Sequence, residues 1–73
     1  MDAEQNVAEL LTRWAAELAE HRAQGHHTIA NEKRAWLFSA AIVLGKLGQH
    51  DLSGIARRAL MADLAAHNRE KQT

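Results

Sequence analysis

Five histidines are the densest source of chemistry in this 73-residue chain. His21, His26 and His27 crowd one stretch and Glu17 precedes His21 by about one helical turn, so zinc-type ligand atoms are present. A tetrahedral site needs three or four ligands converging on one point. A His-x4-His-His run that crosses a helix end into a loop has no recognised ligand spacing. No metal is therefore expected, and the histidines read as solvated groups near helix ends, with His21, His50 and His67 meeting the negative end of a helix dipole when protonated. Nucleophiles are equally sparse. Without Cys, only Thr12, Thr28, Ser39 and Ser53 remain. Ser39 falls inside an apolar run, where a hydroxyl bonds back to a carbonyl one turn earlier, and Ser53 reads as a cap or turn residue. No Gly-rich phosphate loop, carboxylate pair or Ser–His arrangement is present, and so short a chain has little room to enclose a ligand pocket. Neither catalysis nor a cofactor is expected.

Two phrases point elsewhere. Leu52, Ser53, Gly54, Ile55, Ala56, Arg57 and Arg58 resemble the opening helix of a helix-turn-helix, which implies a DNA-binding regulator. That motif requires a turn and a second helix within about five residues, whereas Ala59, Leu60, Met61, Ala62 and Asp63 continue the helical pattern. Trp36, Leu37, Phe38, Ser39, Ala40, Ala41, Ile42, Val43, Leu44 and Gly45, the pattern W-L-x-S-A-A-x-x-L-G, resemble the second helix of the small quorum-sensing anti-activators of Pseudomonas phages. The resemblance implies a short helical homodimer that binds and silences a LuxR-type transcription activator and also binds a pilus assembly ATPase. This chain departs from the family in continuing well past Gly45.

The elements that position these residues are helices. Val7, Leu11, Trp14, Leu18 and His21 recur at alternating steps of four and three, one face of a helix over residues 2–24 that Gly25 ends in a left-handed turn. Thr28 or Asn31 then caps a second helix over 31–47. Its large side chains point all ways, with Trp36, Val43 and Leu47 on one side, Leu37 and Leu44 on the next, Phe38 and Ile42 on a third. Asp51 or Ser53 caps a third helix over 52–67, and residues 68–73 fray. The alternative is a single helix from Asn31 to about His67 bent at Gly48, with residues 49–53 forming the bend. No period-two alternation argues a strand.

Composition narrows the class. Nine basic residues balance nine acidic ones, and 47% of residues are hydrophobic. Disorder, a disulfide scaffold and a multidomain enzyme are excluded. A neutral chain lacks the basic excess of a phosphate-backbone binder, so nucleic acid is not the expected partner. The charge is uneven, minus three over residues 1–24 and plus two over 46–73, so the two ends can attract one another. The N-terminus is acidic, no apolar run approaches a membrane span, and a cytoplasmic location is expected.

A core in so small a domain supplies about 3–5 kcal/mol, and a helix apolar all round must be covered all round. The expected fold is all-α, two or three helices forming a hairpin or small bundle completed by homodimerisation. The expected core is Val7, Leu11, Trp14, Leu18, Trp36, Leu37, Ile42, Leu44, Leu47, Ile55, Leu60 and Leu64, with Trp36, Phe38, Ile42 and Val43 at the subunit interface. Lys33, Arg34, Arg57 and Arg58 flank the apolar helix and are the candidate partner-binding residues. Together these features predict a non-enzymatic regulator that inhibits a host protein such as a transcription activator. Its rivals are an anti-CRISPR-like inhibitor of a nuclease complex and a small helix-turn-helix-like DNA-binding regulator.

Overall fold

Asp2 opens the first helix by turning its carboxylate back onto the chain, Oδ1 accepting from the Glu4 amide at 3.0 Å. The computed structural model describes residues 2–71, with side chains described through residue 69. Three helices follow, α1 (Ala3–Ala23), α2 (His27–Lys46) and α3 (His50–Lys71). Among the described residues there is no strand, and no helix is long and apolar enough to cross a membrane.

Both connections are built the same way. Gly25 adopts φ +78° and Gly48 φ +79°, the left-handed region that an L side chain resists. After α1 the His26 amide donates to the His21 carbonyl at 2.8 Å and the Gly25 amide to Arg22 at 3.2 Å. After α2 the Gln49 amide donates to Leu44 at 2.8 Å and the Gly48 amide to Gly45 at 3.2 Å. Each is a Schellman closure that satisfies the last carbonyls of its helix, and each leaves one further residue before the next helix begins.

Such short turns move the helix starts upstream of the expected ones. α2 begins at His27, with His26 as its N-cap and no side-chain cap bond, so Thr28 and Asn31 lie inside the helix rather than before it. α3 begins at His50, which puts Asp51 and Ser53 in its first turn instead of at its cap. His50 therefore stands at the positive end of a helix dipole, opposite to the favourable placement expected for it. The stretch 49–53 is neither a loop nor a gentle bend, because α2 ends at Lys46, Leu47 and Gly48 make the turn, and Gln49 is the one residue of that stretch outside α3. α3 runs on through Lys71 where fraying was expected from residue 68; residues 72 and 73 lie outside the described residues.

The helices pack up, down and up, each against both others. Trp14 packs against Trp36 with ring centroids 5.3 Å apart and planes inclined at 54°, and Ser53 of α3 donates its hydroxyl to the Ala41 carbonyl of α2 at 2.9 Å. The core is thin. Leu11, Leu18 and Leu37 are its fully buried large side chains, joined by Ala30, Ala41, Leu52 and Ala56. Alanines at the contact let helix axes come close, which a size-ranked reading of hydrophobicity overlooks. Val7, Trp14, Leu44, Ile55 and Leu60 pack against this core as expected. Trp36, Ile42, Leu47 and Leu64, expected inside, remain exposed on the chain surface.

Candidate functional site

Two clefts between the helices are the places where the surface offers organised chemistry. The first is polar, about 410 Å³, and is lined by Arg22, His27, Asn31, Arg34, Asp63, Leu64 and His67. The second is an almost wholly apolar groove of about 440 Å³ between α1 and α2, lined by Val7, Leu10, Leu11, Trp14, Trp36, Ser39, Ala40, Val43 and Leu44. Both are open to solvent, which is how so short a chain presents volumes that it has no room to enclose.

Arg22 organises the polar cleft. It stands in the last turn of α1 on the same face as Leu11 and Leu18, and is only 8% exposed. Its Nε donates to Asp63 Oδ1 at 2.8 Å and its Nη2 to Asp63 Oδ2 at 3.1 Å, a two-point grip between α1 and α3. The same Nη2 donates to Asn31 Oδ1 at 2.8 Å, and Nη1 lies 3.1 Å from His27 Nδ1, both on the opening turns of α2. One side chain thus ties all three helices together. Arg34, half exposed, brings its Nε to 3.8 Å from Asp63 Oδ2, an ion pair too long for a hydrogen bond.

Charge is organised differently at the groove. Lys33 donates to Glu17 Oε2 at 2.8 Å and lies 4.3 Å over the Trp36 ring centroid. The hydrogen bond from Lys33 is the main reason the Glu17 carboxyl titrates below its ordinary value, with the charges of Lys33, Arg13 and His21 adding to it and partial desolvation opposing.

The structure separates the residues singled out from the sequence. Trp36 and Val43 line the apolar groove; Phe38 and Ile42 do not. Trp36 and Phe38 stand about 160° apart around the helix axis, on either side of buried Leu37. Of the four cations, Lys33 is engaged at the groove and Arg34 at the polar cleft, while Arg57 and Arg58 are exposed on α3. α3 continues unbroken beyond Arg58, so no turn or recognition helix follows the Leu52–Arg58 phrase.

His21 and His26 pair through their Nδ1 atoms at 3.4 Å, so that one of the two nitrogens donates and the other accepts. Among the described residues no group of three or more His, Asp or Glu is arranged to hold a metal ion. The polar cleft itself was not expected. Arg22 and Asp63 both sit on the apolar stripes of their helices, seven or four residues from buried positions, and a charged residue at such a register was the available signal of a buried ion pair.

No protein-family model matches the chain, and no curated protein or solved structure matches it.

Proposed function

We propose that this chain is a non-enzymatic, protein-binding regulator of a phage or mobile element that works as a homodimer and inhibits a host protein by covering one of its surfaces. The apolar groove between α1 and α2 is the observation that carries this reading. Trp36 and Val43 stand in its wall, while among the described residues the core holds three fully buried large side chains, Leu11, Leu18 and Leu37. A core that thin contributes little net stability alone. A second copy seated on the groove would remove Leu10, Trp36 and Val43 from water. A stable interface takes about 800 Å² from each partner, a modest share of the 5207 Å² that the chain exposes.

One flat interface does not reach both flanks of α2, because Trp36 and Phe38 point to nearly opposite sides. The assignment is therefore a division of labour, with the Trp36 and Val43 flank for the second copy and the Phe38 and Ile42 flank, with Arg34, Arg57 and Arg58, for the host protein. Aromatic and arginine anchors of this kind dominate binding energies. The likeness of Trp36–Gly45 to the phage anti-activators makes a LuxR-type transcription activator the host partner to try first. The unbroken α3 favours it over a DNA-binding regulator.

Light scattering tests the first half. The unmodified chain should be a dimer, and Val43→Glu, on a side chain already 56% exposed, should give a folded monomer. A folded monomer for the unmodified chain overturns the assignment. Inhibition of the activator should saturate at a fixed molar ratio, and Arg57→Ala with Arg58→Ala should weaken it without lowering the melting temperature. Turnover at substoichiometric protein would show an enzyme instead.

A further inference from the structure

α2 carries two stripes of regularly spaced side chains. Ala30, Leu37 and Ala41 form the inner one, buried in the chain's own core. About a quarter-turn away runs another, made of Ile29, Lys33, Trp36, Ala40, Val43 and Leu47, at steps of four, three, four, three and four. That is an unbroken heptad alternation along the whole helix, the pattern by which one helix seats its side chains into another. Trp36, Ala40 and Val43 stand in the wall of the α1–α2 groove, and Ile29, Trp36, Val43 and Leu47 are 40–68% exposed.

We propose that this outer stripe is the seam of an antiparallel pairing between α2 and α2 of a second copy, with the two-fold axis beside residue 38. The inference rests on the reading of the chain as a homodimer and says how the two copies meet. Ile29 then faces Leu47 of the second copy, Lys33 faces Val43, and Trp36 faces Ala40. Two features of the stripe choose this direction. The first is size: the largest side chain of the six comes opposite the smallest on both sides of the axis, so that each layer fills. A parallel pairing would press Trp36 on Trp36 and leave Ala40 facing Ala40. The second is charge, since Lys33 is the single charged residue of the six. Antiparallel pairing sets it against an apolar side chain, and its ammonium is drawn off the seam to Glu17 at 2.8 Å, which leaves the methylene stem to pack. In a parallel pair the two Lys33 side chains would meet, so this one lysine fixes the orientation.

The area is sufficient. The stripe is about 27 Å long, and Val7 and Leu10 of α1 flank it across the groove. Two packed helices are about 20 Å across, which brings a standard interface of roughly 800 Å² per partner within reach once the ridges of the side chains are counted. The product is a four-helix layer of α1, α2 and their copies, with α3 outside it and the Phe38 and Ile42 flank left open.

Cross-linking the full chain with a short bismaleimide tests the seam, because the chain has no cysteine and both Ile29 and Leu47 are exposed. Within one chain these positions lie about 27 Å apart along α2, beyond the reach of the linker. Ile29→Cys with Leu47→Cys in the same chain should give a covalent dimer in high yield. Each single variant, whose cysteine stands as far from its own copy, should stay unlinked. Val43→Glu added to the double variant should abolish the covalent dimer. Self-linking by either single variant would mean a parallel or shifted pairing and overturn the proposal, as would a covalent dimer that persists with Val43→Glu. A double variant that stays unlinked while light scattering shows a dimer would overturn the seam and leave the homodimer standing on another face. A folded monomer by light scattering would remove both.

Discussion

The two clefts have nearly the same volume, about 440 and 410 Å³, and opposite construction. The apolar groove is an area property. Trp14, Trp36, Val43 and Leu44 contribute surface, each contact is non-directional, and changing one side chain for another apolar one alters the sum slightly. The polar cleft is a property of individual atoms. Arg22 is held by Asp63, Asn31 and His27 at 2.8–3.1 Å, and the removal of one acceptor breaks a directional bond to a buried charge that no neighbouring apolar group can replace. A small helical protein can place adaptable recognition on the first kind of surface and fold specificity on the second, and the two should respond very differently to substitution.

Asp63→Ala should show the largest difference. It removes the two-point carboxylate contact of an Arg22 guanidinium that is 8% exposed, and breaking a buried ion pair costs about 3–5 kcal/mol, as much as the whole stability of a domain this small. Urea denaturation should find the variant largely unfolded in water. Replacing Arg22 with Met and Asp63 with Leu together should restore a folded protein, since a well-packed apolar pair of similar volume is often neutral or stabilising. If Asp63→Ala stays within about 1 kcal/mol of the unmodified chain, the contrast between the clefts is not real.

Next come the turns that set both clefts. Gly25 and Gly48 have open space around a would-be Cβ, so Gly25→Ala and Gly48→Ala should each act through the backbone alone. An L residue in the left-handed region costs about 1–2 kcal/mol. The two variants should lose equal stability because the two closures are the same. Unequal losses would mean that the polar knot near Gly25 is strained or supported by its turn in a way the Gly48 end is not.

This contrast also explains what could be read from the sequence. The three helices follow from periodicity, and the end of the first from Gly25, both local properties of the sequence. Their starts at His27 and His50 do not, because neither helix opens with a preferred cap residue and the Schellman turns are shorter than a polar run of histidines suggests. The apolar groove was half legible: Trp36 and Val43 were marked for an interface, but so were Phe38 and Ile42, which a helix carries to its other flank. The polar cleft was illegible as a site. Residues 22, 31, 34 and 63 meet only through the packing of three helices, and the sequence reading singles out neither Arg22 nor Asp63, because charged residues are rarely buried unless paired. Ala30, Ala41 and Ala56 were passed over for the opposite reason, since a small residue ranks low in apolar area and high in how closely it lets helices approach.

The smallest effect expected belongs to the Lys33–Glu17 contact beside the groove. Lys33 bonds Glu17 at 2.8 Å and covers Trp36, and the hydrogen bond holds the Glu17 carboxyl below its ordinary value. A carboxyl whose value is lower folded than unfolded stabilises the fold when ionised, so its contribution is complete above the unfolded value and is lost as pH falls through the folded one. Melting temperatures of the unmodified chain and of Glu17→Gln, followed from pH 7 down to pH 3, should therefore differ most near neutrality and converge in acid. Concentrated salt at pH 7 should narrow the same gap, because the pair lies at the surface where ions screen it. Glu17→Gln also frees the Lys33 ammonium that rests on the indole, so a small shift in Trp36 fluorescence should accompany the loss. A gap that stays constant across the pH range would mean that Glu17 acts through packing alone and that the groove, unlike the polar cleft, owes nothing to charge.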